Sequence, residues 1–229
     1  MPLISKPEFS KNQILAALPT REMKRLSPHL RPVSFESKHV LYKPGDSIDY
    51  LYFPLDAVVS LLVLMQDGRS AAVSLTGNEG VVGLPSAILG MKKAQLLATV
   101  QIPGDFLRVK AAAVQNECRK CDVLLDRVLR YTRFFLAEIS QTAACNSLHV
   151  LEERLARWLL MFHNRVGKDE FPITHEILSD LLGMSRSEVT RVAVSFRKSK
   201  LIKYSHGKLT ILDRTRLEST ACECYKIVA

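Results

Sequence analysis

The sequence predicts an α+β chain: a β-rich front, a long helix behind it, and a winged helix-turn-helix at the carboxyl end. Three observations carry that expectation. Between Val33 and Val109, short apolar runs with a period near two alternate with turn residues. From Asp122 to Ser147 the apolar period becomes three and four, over the longest periodic stretch of the chain. From Ile173 to Lys198, two helical patterns meet at a break of only Gly183-Met184.

The first 30 residues read as a short helical lead-in. Asn12 can cap a helix from Gln13 to Leu18, Pro19 ends it, and Thr20 can cap a second piece from Arg21 to Leu26. Strands are expected at Val33–Phe35, Val40–Tyr42, Tyr50–Phe53, Val58–Met65, Ala71–Leu75, Leu97–Ile102 and Phe106–Val109. Turns at Lys43–Asp46, Gln66–Arg69, Thr76–Gly80 and Pro103–Asp105 separate them. So many short strands imply a β-sandwich or small barrel. The pattern lapses at Pro85–Gly90, which reads as a short helix or loop on the sheet.

Helical signal resumes at Ala111–Gln115. The long segment then carries Leu125, Val128, Leu129, Thr132, Phe135, Leu136, Ile139, Thr142 and Ala143 as one stripe. At about 1.5 Å per residue this helix runs about 40 Å, too long for a small sandwich to cover. The stripe is expected to pair with its copy in a homodimer. A further amphipathic helix, Leu148–Arg165, turns Leu151, Leu155, Trp158, Leu159 and Phe162 inward and Glu152, Glu153, Arg154 and Arg157 outward. A polar loop, Arg165–Glu170, leads into the helix-turn-helix.

In that unit Thr174 can cap the first helix, and Ser185 with Glu188 makes a capping box for the second. A two-residue break forces the helices to meet steeply. Val189, Val192 and Phe196 point inward, leaving Arg186, Ser187, Thr190, Arg191 and Arg197 outside. Arginine pairs bidentately with guanine, and small hydroxyls reach several base edges, so this face suits the major groove. Arg186, Ser187, Thr190 and Arg191 are the expected base readers. Thr174, Ser185, Arg197, Lys200, Lys203 and Lys208 are the expected phosphate contacts. An ordinary αα-corner with a solvated face is the plainer alternative. Against it, Met184–Arg216 holds nine basic and two acidic side chains. Leu201–Tyr204, a Ser205–Gly207 turn and Leu209–Leu212 read as the wing, and Asp213–Ala229 as a short helix.

The 229 residues carry a formal charge of +9, which favours a polyanionic partner, here double-stranded DNA. No apolar run reaches about 18 residues and no secretion signal is visible, so a cytoplasmic protein without membrane contact is expected. Five cysteines at irregular spacing read as free thiols. The six histidines are scattered, with no nucleophile triad order, phosphate loop or paired-histidine motif. No catalytic residue, cofactor or metal is expected.

Three segments together resemble the cyclic-AMP receptor protein/FNR (Crp/Fnr) family of bacterial transcription regulators: Val40–Asp46, Leu151–Leu160 and Ile173–Ile202. The resemblance implies a cyclic-nucleotide-binding-like β-roll (jelly roll) within residues 1–117 and a dimerisation helix at 118–148. It places a winged helix-turn-helix DNA-binding domain at 149–229. It also implies a palindromic operator and RNA polymerase as a partner. Ser185–Arg191 reads SRSEVTR, which matches the family's recognition-helix start at Arg186 and Arg191 but has Ser187 where the family carries a base-reading glutamate.

The family's nucleotide cassette needs a Gly-Glu pair and an Arg-Ser pair. Here Gly83 precedes Leu84-Pro85, and the later segment is Ala94–Ala98, so no cyclic-nucleotide response is expected. Lys92 and Lys93 are the nearby cations. No cysteine precedes Cys118 to hold a cluster, and His39 stands alone in the β region, unlike haem-binding relatives. The alternative signal is Cys118-x-x-Cys121, whose flanking Arg119 and Lys120 favour a thiolate and a redox role. Cys222 and Cys224 could form a second pair, but about 100 residues on they are not expected to close a four-cysteine site with the first.

Overall fold

The computed structural model describes residues 9–84, 90–91, 93–120 and 122–227. The expectations for residues 85–89, for Lys92 and for Cys121 lie outside the described residues. The fold is α+β, and it divides into two compact units: residues 1–59 with 76–135, and residues 60–75 with 136–229.

In the first unit Asn12 caps α1 (Gln13–Ala16) by accepting from the Ile14 and Leu15 amides. Its Nδ2 donates to the carbonyls of Pro54 and Gly80 at 3.0 and 2.9 Å. A buried amide with its bonds made fixes the lead-in to the β region. In α2 (Thr20–Leu26) the cap position falls to Pro19 and Thr20 is the first helical residue, one earlier than expected. Proline loses nothing there, because the first amides of a helix have no partner inside it.

The strands are β1 (Arg31–Phe35), β2 (Val40–Tyr42), β3 (Tyr50–Pro54), β4 (Val58–Leu64), β5 (Ser70–Thr76), β6 (Leu97–Ile102) and β7 (Gly104–Lys110). They form sheets of order β1-β7-β3 and β2-β6-β4-β5. In the first sheet Val33 lies opposite Phe106, and Tyr52 opposite Arg108. The helices α3 (Ala111–Cys118) and α4 (Asp122–Leu148) follow. Leu15, Leu26, Leu51, Phe53, Leu107, Val114 and Val128 share one core cluster that joins lead-in, sheet and helices. The Glu22 carboxylate accepts from the Leu124 amide at 3.1 Å, an anion at the first turn of α4.

The apolar stripe of α4 resolves into two faces. Val128, Phe135 and Thr142 are 0, 8 and 1 % exposed. Expected at a dimer seam, they belong instead to the chain's own interior. Val128 packs in the core cluster, Phe135 stacks on Tyr131, and the Thr142 hydroxyl accepts from Arg157 at 3.0 Å. Leu125, Leu129, Thr132, Leu136, Ile139 and Ala143 form the neighbouring face in alternating steps of four and three. On it Leu129 and Leu136 are 47 and 57 % exposed.

The second unit holds most of β4 and β5 and the end of α4, and then α5 (Leu151–Val166), β8 (Glu170–Pro172), α6 (His175–Leu182), α7 (Arg186–Lys198), β9 (Ile202–Ser205), β10 (Lys208–Ile211), α8 (Arg214–Thr220) and α9 (Cys224–Ile227). The helix expected from Leu148 starts at Leu151. Val150 is extended, and its amide donates to the Glu153 carboxylate at 3.3 Å. The wing is a three-stranded antiparallel sheet of order β8-β10-β9, with Leu209 opposite both Phe171 and Tyr204. Strand β8 closes what reads as a polar loop; three residues are too few for alternation to show, but Phe171 is buried. The expected single tail helix is two, because Ala221 is extended between them.

The outward placement of Arg154 and Arg157 is corrected: both are buried. Helix α5 packs against α6 and α7 and also against α8 and α9, so no side of it is left to solvent for those two residues. Nearby, the fully buried Glu138 carboxylate accepts from the Leu75 amide at 2.8 Å and pairs with Arg165 at 2.8 Å. Among the described residues, no helix is long and apolar enough to cross a membrane.

Candidate nucleic-acid interface

The helix-turn-helix is held by local bonds. The Thr174 hydroxyl accepts from the Ile177 amide at 3.2 Å and starts α6. Ser185 and Glu188 make the capping box: the Ser185 hydroxyl accepts from the Glu188 amide at 3.3 Å, and the Glu188 carboxylate accepts from the Ser185 amide at 3.0 Å. Bonds from Ser185 hold the Glu188 carboxyl below the usual carboxylate range. Gly183 ends α6 with φ at 62°, the left-handed region where a side chain is strained. A Cβ there would also come within 3.1 Å of the Ala71 side chain. Two further bonds fasten the turn: the Ser179 hydroxyl donates to the Met184 carbonyl at 2.6 Å, and buried Arg154 donates to the Leu182 carbonyl at 2.6 Å.

On α7, Val189, Val192, Ala193 and Phe196 are buried and tie the helix to the unit. Arg186, Ser187, Arg191 and Arg197 are exposed, and Thr190 is half-buried. The four expected base readers are not equally free. The Thr190 hydroxyl is 2.9 Å from His175 Nδ1, and Arg191 lies 3.7 Å from the Glu152 carboxylate. Ser187 shares a 3.0 Å hydroxyl contact with Ser185. Arg186 stands at the amino end of α7 and reaches into the field of His175 and Tyr204. Burial, then Arg186 and Arg197, hold His175 below the ordinary histidine value of 6.5. Of the expected phosphate contacts, Arg197, Lys200, Lys203 and Lys208 are exposed, with Lys208 3.3 Å from Glu170. A capped helix with a basic outer face beside a basic wing can meet a duplex through base edges and phosphates together.

A family profile, the Crp-like helix-turn-helix domain, matches residues 153–220. Residues 153–220 are thus Crp-like in sequence, and the chain as a whole is similar to regulators of the Crp/Fnr type. It is 22% identical over 186 residues to the global nitrogen regulator of Nostoc sp., covering 78% of this chain and 83% of that one. It is 22% identical over 229 residues to the nitrogen fixation regulation protein FixK of Bradyrhizobium diazoefficiens, covering 91% and 89%. Among solved structures it is similar to FixK2 of Bradyrhizobium japonicum, with a TM-score of 0.73 and 17% identity, covering 84% of this chain and 98% of that one.

Where the nucleotide cassette would lie, Leu84 and Ala94 are buried, and Lys93 and Gln95 are exposed. Cys118 is half-buried, while its expected partner Cys121 lies outside the described residues. A different group comes together. Cys145 on α4, His149 just past its end, and Cys222 and Cys224 at the carboxyl end place their ligand atoms all within 4.8 Å of one another. Burial pushes the Cys145 thiol up, and the Cys222 thiol up to about 12. Sequence reasoning weighed Cys222 and Cys224 only against Cys118 and Cys121. The overlooked signal was Cys145 and His149, four residues apart and so on one helix face.

Proposed function

We propose that the chain is a homodimeric, sequence-specific DNA-binding transcription regulator that does not respond to cyclic nucleotides. The observation that carries this is the outer face of α7: Arg186, Ser187 and Arg197 exposed on a helix whose start is fixed by the Ser185–Glu188 box. In this scheme residues 1–117 form the effector-type β-roll, 118–148 the dimer helix and 149–229 the DNA-binding domain. Arg186 and Ser187 read bases, joined by Arg191 and Thr190 once their contacts to Glu152 and His175 open. Thr174, Ser185, Arg197, Lys200, Lys203 and Lys208 contact phosphates.

The dimer forms through Leu125, Leu129, Thr132, Leu136, Ile139 and Ala143. Their four-and-three spacing is that of a coiled-coil seam, and the exposure of Leu129 and Leu136 supports it. A cyclic phosphate buried in the β-roll would need a cation and several donors, whereas Leu84 and Ala94 offer neither.

Selection of bound fragments from random duplexes tests the scheme, and a two-fold symmetric motif is expected. On that motif Arg186→Ala should lose about 1–3 kcal/mol and relax preference at one base pair. Lys203→Ala should weaken all duplexes alike and lower the salt slope by about one. Equal loss for selected and random DNA on Arg186→Ala would remove it from base readout.

A further inference from the structure

We propose that Cys145, His149, Cys222 and Cys224 form a closed, four-ligand structural zinc site that fastens the carboxyl-terminal segment to the end of α4. Three thiolates and one imidazole are a donor set that selects zinc. Bonds of about 2.3 Å to sulfur and 2.0–2.1 Å to nitrogen around a tetrahedral ion set ligand–ligand edges of about 3.5–3.8 Å. Here Cys145 Sγ and Cys222 Sγ are 3.5 Å apart, and Cys224 Sγ and His149 Nδ1 are 3.5 Å apart. Two of the six edges are therefore already near tetrahedral length, and every ligand atom lies within 4.8 Å of the others. The local structure explains the convergence. Cys145 and His149 are one turn apart, with the His149 amide bonded to the Cys145 carbonyl at 3.1 Å. Cys222 and Cys224 flank Glu223 in the turn that opens α9, and Tyr225 N bonds back to the Cys222 carbonyl at 3.1 Å.

Two independent features surround the ligands. The first is an outer shell. His149 Nε2, the ring nitrogen turned away from the thiols, lies 3.3 Å from the Glu223 carboxylate, which would fix the tautomer that leaves Nδ1 for the metal. Gln141 Nε2 donates to Cys224 Sγ at 3.0 Å. The second is charge. Arg154 and Arg157 are buried, and both interact electrostatically with Cys145. Nε of each, and Nη1 of Arg157, have no hydrogen-bond partner among the described residues. Three thiolates around a divalent ion carry one net negative charge, which the two buried guanidiniums would offset.

Metal analysis of the full chain, purified under reducing conditions with zinc supplied, tests this. One zinc per chain is expected, and replacement by cobalt should produce the absorption of a tetrahedral thiolate complex. Cys222→Ser and Cys224→Ser should each abolish stoichiometric binding, while Cys118→Ser retains it. Glu223, exposed and not a ligand, supplies a variant whose folding is not at issue: Glu223→Gln should weaken zinc binding by about 10–100-fold. The proposal is overturned if the reduced chain takes up neither zinc nor cobalt. It is also overturned if Cys118→Ser removes the metal as fully as Cys222→Ser, or if a Cys145–Cys222 disulfide forms and reduction restores no uptake.

Discussion

Helices α5 and α7 are built from the same pattern and end in opposite surroundings. Each has an apolar stripe on one side and arginines on the other. On α7 those arginines face solvent; on α5, Arg154 and Arg157 are buried. The cause is what packs on the second side. Helix α7 rests on α5 and α6 and the wing, and its remaining face is open. Helix α5 is the central helix of its unit, with α8 and α9 laid over the side that α6 and α7 leave. A charge on α5 must therefore find its partner inside the protein. Arg154 finds the Leu182 carbonyl, Arg157 the Thr142 hydroxyl, and Arg165 the Glu138 carboxylate. Amphipathicity reports that one face is apolar; it does not report whether the other face is wet.

The comparison breaks most sharply at Arg165. Replacing it by methionine leaves Glu138 fully buried without its cation, so Arg165→Met should cost about 3–5 kcal/mol in urea unfolding. The same replacement at exposed Arg197 should stay within about 0.5 kcal/mol. Equal losses at the two sites would mean that the buried pair is not a determinant of stability.

Legibility in the sequence divides along the same line. The strands, their turns and the helix-turn-helix were readable because alternation, glycines and caps act over a few residues. Ser185, Glu188 and Gly183 take the roles their residue types suggest. Long-range decisions were not readable. Val128 and Leu129 are adjacent, yet one is fully buried and the other 47 % exposed, because the partners that choose between them lie up to 119 residues away. Strand β8 was hidden by its length, and the meeting of Cys145 with Cys222 by a sequence separation of 77 residues. At the candidate interface, residue types named the exposed arginines, but nothing local showed that Thr190 and Arg191 are already engaged.

Smaller effects sharpen the contrast on α7 itself. Ser185 starts the helix by satisfying an amide that has no partner within it. Ser185→Ala should destabilise the unit by about 1 kcal/mol, with a range of about 0.5–2. Ser187→Ala, two residues on and outside the capping bond, should leave stability unchanged while altering base preference. Chemical unfolding of both variants beside duplex binding separates cap from reader. A stability loss at Ser187 equal to that at Ser185 would show that their 3.0 Å hydroxyl contact, not the cap, holds the turn.

The smallest expected effect is a pH dependence carried by His175. Its folded value lies below 6.5, from burial first and then from Arg186 and Arg197, so folding favours the neutral ring. Above about 6.5 both folded and unfolded chains hold it neutral, and its contribution to stability is flat. As pH falls below that value, the unfolded chain takes up the proton first, and stability drops until the folded value is crossed. His175→Gln keeps a polar partner for Thr190 but cannot titrate. Unfolding followed between about pH 7 and pH 5 should therefore show a shallower decline for the variant than for the parent chain. Parallel declines would place the acid sensitivity in another group and leave His175 with only its bond to Thr190. The test bears on the interface as well as on stability, because the arginines that depress His175 are two of those offered to DNA. Neutralising them with phosphate would raise the histidine, so the difference between the two declines should shrink when duplex is bound.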